Sequence, residues 1–185
     1  MRTFVAIELE KNIKDILSSI IREVDTGEKN VKWINPRGMH LTLKFLGEIA
    51  AERTAEIKTA LGEAVENSDP FEFQLKGTGT FPPNSPFPRV FWIGIEENAF
   101  LISLQAKIES KLEAIGFLRE KRSFHPHLTL GRVKRPRNLD PVIRALDQFR
   151  DKPFGSMAVD RVTLFQSVLR PTGAEYTVLS EHRLR

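Results

Sequence analysis

The sequence predicts an α+β fold built as two related lobes of mostly antiparallel sheet that face each other. Three observations predict it. Short apolar or alternating stretches of strand length are interspersed with stretches whose apolar residues recur at helical intervals. The order strand, helix, then a strand opening on His-Leu-Thr-Leu occurs in the first half and again between Val90 and Leu130. No linker or low-complexity segment divides the chain, and its 185 residues suit one domain or two small lobes that share a core.

The first element, TFVAIEL (3–9), is short, apolar and β-rich, as a buried strand should be. KNIKDILSSIIREV (11–24) sets Ile13, Ile16, Leu17, Ile20, Ile21 and Val24 along one helical face. VKWI (31–34) reads as a short strand, closed by an Asn35-Pro36-Arg37-Gly38 turn. HLTLKFLG (40–47) is the next strand, and residues 51–66 a helix through Ile57, Ala60, Leu61, Ala64 and Val65. FEFQLKGTGTF (71–81) alternates as a strand does, and the four prolines of 81–89 demand a loop. VFWIGI (90–95) is a buried strand. Leu101, Leu104, Ile108, Leu112 and Ile115 mark a helix that stops near Gly116. Residues 124–133 form a strand. Asp140-Pro141 starts a helix to about Phe149, with Asp140 as its N-cap. The strands 158–167 and 175–184 form a hairpin around Arg170-Pro171-Thr172-Gly173.

Bulk properties narrow the function. The formal charge of +4 suits a polyanionic ligand without demanding one. The absence of cysteine excludes disulfides, thiolate catalysis and cysteine-ligated zinc. The N-terminal stretch MRTFVAIELE lacks the long apolar run of a signal peptide, and no apolar run approaches the ~20 residues that span a bilayer. A soluble, cytoplasmic protein with no membrane association is expected.

The tetrapeptide HLTL stands at 40–43 and again at 127–130, inside FHPHLTLGR. Residues i and i+2 of a strand share a face, so each pair of leucines enters the core while histidine and threonine stand together on the other side. An imidazole exchanges a proton near neutral pH, and the hydroxyl beside it both donates and accepts hydrogen bonds. Two such pairs facing each other would hold an anion from both sides and supply an acid and a base. With 4 histidines and 11 threonines in the chain, chance gives roughly 0.24 His-x-Thr matches, so two inside identical tetrapeptides call for a shared purpose.

These paired motifs resemble those of the 2H phosphoesterase superfamily, and most closely its RNA 2′,3′-cyclic phosphodiesterase branch, also called 2′-5′ RNA ligase. RTFVAIEL is similar to that branch's opening strand, HLTLKFLGE to its first motif, VFWIGI to its central strand and FHPHLTLGR to its second motif. The resemblance covers nearly the whole chain. It implies a 2H phosphoesterase (LigT-like) fold, with outer helices around a central cleft. Residues 1–185 would form one such domain of two interleaved lobes, each supplying one His-x-Thr-x motif. It implies metal-independent hydrolysis of an RNA terminal 2′,3′-cyclic phosphate to a 2′-phosphate, with no cofactor.

The same resemblance assigns His127 as the general base that activates water and His40 as the general acid that protonates the departing O3′. The residues alone do not order these roles, and the reverse reaction exchanges them. Thr42 and Thr129 would bind the non-bridging oxygens, and Arg132, five residues after the second histidine, would add a charge-assisted contact. Strict alternation would turn Arg132 away from His127, unless Gly131 marks a bulge. His125 reads as a rim or packing residue, His182 as structural, and Lys44 as sharing the face of His40 and Thr42. Phe4, Trp33, Phe87 and Trp92 are candidates for stacking on bases. The expected partner is RNA with a 2′,3′-cyclic phosphate end, acted on by a monomer. Three other readings stay open: a metal site of His40, His125 and His127, a non-catalytic RNA-end-binding module, and 2′-5′ RNA ligation at the same residues.

Overall fold

A computed structural model of the chain describes residues 1–27, 29–171 and 173–185. Its elements are, in order, β1 (Arg2–Glu8), α1 (Lys11–Val24), β2 (Val31–Trp33), β3 (His40–Glu48), α2 (Thr54–Val65), β4 (Phe71–Phe81), β5 (Val90–Ile95), α3 (Ala99–Ala114), β6 (His127–Val133), α4 (Asp140–Asp147), β7 (Pro153–Val159), β8 (Arg161–Arg170) and β9 (Gly173–Arg183). Short 3-10 turns occupy Pro36–Gly38 and Ala51–Arg53. Thr172, at the tip of the hairpin expected between the last two strands, lies outside the described residues.

The strands form two antiparallel sheets, ordered β3-β1-β8-β9 and β2-β6-β5-β4-β7. The repeated order seen in the sequence is therefore spatial. β1 flanks β3 in one sheet as β5 flanks β6 in the other, and β8 and β4 take matching places beyond them. The sheets exchange strands: β4 comes from the first half of the chain but pairs with β5, while β8 comes from the second half and pairs with β1.

Helices and sheets share one core. α1 buries Ile13, Leu17, Ile20 and Val24, residues spaced along one side of the helix. α3 starts where the Asn98 side chain accepts the Leu101 amide, and ends before Gly116, whose φ of +92° suits glycine. Val5, Ile7, Leu41 and Leu43 of the first sheet and Phe91, Ile93, Leu128 and Leu130 of the second join that core. Each such aliphatic side chain contributes about 2 kcal/mol by leaving water. The helices cover one face of each sheet and leave the other face open, and it is on the open faces that the histidines stand.

Three boundaries differ from the sequence expectation. The stretch 158–167 is not one strand: β7 ends at Val159 in the second sheet and β8 begins at Arg161 in the first, with Asp160 as the corner. The adjacent polar pair Asp160-Arg161 shifts the apolar phase there, from Met157 and Val159 to Val162 and Leu164, and that shift marks the change of sheet. β6 begins at His127 rather than at residue 124, because Pro126 has no amide to give to a ladder. Leu139, not Asp140, is the N-cap of α4, which places Asp140 in the first turn beside the helix's positive end.

Candidate active site

The first motif begins β3 and the second begins β6, and the two strands share one irregularity, although β3 has a second one farther on, at Leu46. Along β3, Ala6 pairs with Thr42 and Val5 with Lys44, so Leu43 is an extra residue. Along β6, Trp92 pairs with Thr129 and Phe91 with Gly131, so Leu130 is an extra residue. A bulge of this kind sends two successive residues to one side. Leu43 and Lys44 are both buried, as are Leu130 and Gly131. The next residues, Phe45 and Arg132, are thereby returned to the open face that carries His40, Thr42, His127 and Thr129.

The expectation of a bulge near Gly131 thus holds, with Leu130 as the inserted residue. Glycine is needed at 131 because a Cβ there would come within 2.8 Å of the Trp33 ring and 3.0 Å of Val31. The matching bulge at Leu43 has no such cue in the sequence, and it corrects the placement of Lys44. That ammonium points into the interior, 2.5 Å from the Glu109 carboxylate and 2.9 Å from the Leu118 carbonyl, which both accept from it. It adds no charge beside His40.

Each histidine is held by the backbone two residues before it. The His40 Nδ1–H donates to the Gly38 carbonyl at 3.0 Å, and the His127 Nδ1–H donates to the His125 carbonyl at 2.7 Å. A carbonyl can only accept, so the proton of each neutral ring sits on Nδ1 and the lone pair on Nε2. The two rings are thus fixed in one tautomer with the same nitrogen free. The exposed His125 takes part through its backbone oxygen.

Aromatic rings hold both imidazoles. His40 stacks on Phe4, with ring centroids 4.5 Å apart, and meets the edge of Tyr176 at 5.0 Å. His127 meets Phe81 edge-on at 4.9 Å and Trp92 at 6.4 Å. The Trp92 indole lies across Gly79 of the neighbouring strand, where any Cβ would collide with the ring. This packing desolvates the histidines and disfavours their charged forms. Burial, with a smaller contribution from the Lys14 charge, lowers His40 to about 4, against the opposing bond to Gly38. His127 is also lowered, first by burial and then by the charges of Arg132 and His125, again against its carbonyl bond. That dependence places Arg132 within electrostatic reach of His127.

Thr42 and Thr129 are partly buried, and among the described residues neither hydroxyl has a protein hydrogen-bond partner. The four candidates for base stacking divide. Trp33 packs against Phe91 on the core side, and Phe4, 2% exposed, is the bed of His40, whereas Phe87 and part of Trp92 remain open. The sequence reading missed Phe45, Tyr176 and Phe165, which line the open face around His40. Only the bulge and the β8–β9 register reveal that they share a side. His182 faces the helix side, where it bonds Ser180 at 2.9 Å. Among the described residues no three His, Asp or Glu side chains cluster as a metal site would require.

The two motif strands are brought together by a short connection. β2 pairs along β6, and the Ile34 amide then donates to the Leu130 carbonyl. His40 follows six residues later, so it lies at most about 20 Å along the chain from that bond, and the 3-10 turn at Pro36–Gly38 shortens the path. β3 and β6 are in contact.

The comparisons agree with this architecture. A model of the 2′-5′ RNA ligase superfamily matches residues 13–169, a span that includes both motifs. The RNA 2′,3′-cyclic phosphodiesterase of Archaeoglobus fulgidus is 38% identical, over 95% of this chain and 96% of its own length. The protein of the same name from Methanothermobacter thermautotrophicus is 34% identical, over 100% and 99%. The crystal structure of TT0787 of Thermus thermophilus superposes with a TM-score of 0.81 at 29% identity, covering 100% of this chain and 98% of that one. By family model, sequence and fold, the chain belongs to the 2′-5′ RNA ligase superfamily of 2H phosphoesterases.

Proposed function

We propose that the protein hydrolyses the 2′,3′-cyclic phosphate at the end of an RNA to a 2′-phosphomonoester, without a metal ion. The observation that carries the reading is the matched pair of histidines, each tied through Nδ1 and offering Nε2 beside a free threonine hydroxyl. A water molecule attacks phosphorus in line with O3′. His127 Nε2 takes the water's proton, the P–O3′ bond breaks, and O3′ takes the proton carried by His40 Nε2. The products are a 3′-hydroxyl and a phosphate on O2′. Thr42, Thr129 and Arg132 hold the non-bridging oxygens, on which charge is spread in the transition state.

An acid must hold its proton, and in the free protein the surroundings of His40 favour the neutral ring. The phosphodiester anion reverses that preference, since an opposite charge within a few ångströms favours the imidazolium. Substrate binding and uptake of the catalytic proton are therefore one event.

Ligation would use these residues in reverse, with the 5′-hydroxyl of a second RNA taking part in place of water. The phosphodiesterase names of the relatives support hydrolysis. We extend the proposal to residues 1–185 acting as one unit, a cytoplasmic monomer. Among the described residues no helix is long and apolar enough to cross a membrane.

The test incubates the protein, with chelator, with an oligoribonucleotide ending in a 2′,3′-cyclic phosphate. The expected product is the 2′-phosphate, and His40→Ala or His127→Ala should each slow its formation by at least about 10²-fold. Tight binding with no turnover would establish an RNA-end-binding module in its place. Activity lost with chelator and restored by zinc would establish a metal enzyme.

A further inference from the structure

Beside the second motif lies a group of cations that the hydrolysis itself does not use in full. Lys32 of β2 and Arg132 of β6 are paired across the ladder. Directly facing Cα atoms of antiparallel strands are about 5 Å apart. Both side chains leave the open face of the sheet, because their neighbours Val31, Trp33 and Gly131 pack inward. Lys134 follows on the same side by alternation, past Val133, which packs against the core, and its amide still donates to Asn30 in line with the ladder. All three side chains are exposed.

Like charges placed directly opposite each other destabilise a sheet. Some other exposed cations meet carboxylates, as Lys76 meets Glu96 and Lys111 meets Glu63. Among the described residues Lys32, Arg132 and Lys134 have no carboxylate partner, and the residue paired with Arg132 on its other side is Val90. Three exposed cations on one side of two adjacent strands, at the margin of a phosphate-handling site, form a surface for anionic charge.

The chemistry of the substrate says which charge. A cyclic phosphate closes the 3′ end of the RNA, so its only neighbouring phosphate lies on the 5′ side. With the cyclic phosphate held between the histidines, Arg132 stands at its edge and Lys32 and Lys134 lie beyond it. We infer that Lys32 and Lys134 bind the phosphate one nucleotide 5′ of the cyclic end, with Arg132 shared between the two phosphates. The inference rests on the proposed hydrolysis and narrows its substrate: the preferred ligand is an RNA chain end of two nucleotides or more, not a mononucleoside cyclic phosphate.

The experiment compares a mononucleoside 2′,3′-cyclic phosphate with a dinucleotide ending in 2′,3′-cyclic phosphate. Wild-type protein should turn over the dinucleotide with the higher kcat/KM, and the advantage should shrink as salt rises. Lys32→Gln combined with Lys134→Gln should lower kcat/KM on the dinucleotide by about tenfold and flatten its log–log salt slope by about 0.7 at most, the share of the single phosphate they neutralise. The mononucleotide value should fall far less. Lys32→Arg should keep the preference, and a dinucleotide whose internal linkage is a neutral methylphosphonate should lose it with wild-type protein. Equal losses on both substrates, or a wild-type protein indifferent to the internal phosphate, would overturn the subsite while leaving hydrolysis standing. A wild-type protein that cleaves neither substrate would overturn both.

Discussion

Phe45 and Arg132 occupy the same position on two matching strands, each two residues beyond the inserted leucine of a bulge. One is an apolar ring, 64% exposed, and the other a cation. The framework that presents the two histidines is nearly symmetric, whereas the side chains around them are not. Both imidazoles have aromatic neighbours, but the matching position carries a cation on the His127 side and an exposed ring on the His40 side. This asymmetry gives a substrate a reason to enter in one orientation.

Arg132 should therefore matter to the rate as well as to binding. Arg132→Ala is expected to lower kcat by about 10²-fold, the usual scale for one donor to a developing oxyanion, and Arg132→Lys to restore only part. Because the guanidinium is one of the charges lowering His127, its removal should also raise the pKa of that imidazole, as read by NMR titration. A normal kcat in the alanine variant would place Arg132 outside the transition state.

The pH dependence follows from the direction of both histidine shifts. Catalysis needs one imidazole charged and the other neutral, and kcat/KM reports the free protein. Both rings are lowered from 6.5, with His40 at about 4. The bell of kcat/KM should accordingly peak on the acid side of pH 6.5. The bell of kcat should peak at higher pH, since bound phosphate favours the imidazolium. Coincident profiles would show that phosphate does not change the protonation of the pair.

Stability should share this dependence. A folded-state pKa of about 4 for His40 against 6.5 in the unfolded chain means that the unfolded state takes up the proton first. The contribution is fully present above pH 6.5 and is lost as pH falls from there through about 4. Urea melts between pH 7.5 and 4.5 should show that decline, and His40→Asn should flatten it. An unchanged slope in the variant would assign the acid sensitivity to other groups.

The Lys44–Glu109 pair tests how the first bulge is held. The two side chains are 4% and 7% exposed, and the Gln105 amide also donates to the Leu43 carbonyl at the bulge. Lys44→Ala leaves a buried carboxylate without its partner and should cost about 3–5 kcal/mol in denaturant unfolding. Lys44→Met with Glu109→Leu should recover most of that loss. If the double variant is as unstable as the single one, the charges themselves are indispensable to the bulge.

Most of the frame was legible because local patterns determine it. Alternation located β4, helical spacing located α1, and the repeated HLTL marked two equivalent strands. What stayed hidden depends on long-range pairing. The inward turn of Lys44 follows from a register shift against β1, and a lysine in an alternating strand gives no local sign of it. The ring set around His40 needs Phe165 of β8 and Tyr176 of β9, more than 100 residues away in the chain. Gly131 did announce its bulge, because a missing side chain is a local cue. The corner at Asp160 was passed over because residues on both sides of it suit strands, although the adjacent polar pair Asp160-Arg161 breaks the alternation there.

The exchange of β4 and β8 has a consequence for how such a protein can be divided. A cut in the proline-rich loop between β4 and β5 would separate two stretches of similar size, yet neither would own a finished sheet. The N-terminal fragment would carry β4 without its neighbours β5 and β7, and β1 would lack β8. Each fragment should therefore remain unstructured alone and become ordered only on mixing. A site that relies on one histidine from each side would then switch on at reassembly, which makes the 82–89 loop a natural place to build a split reporter.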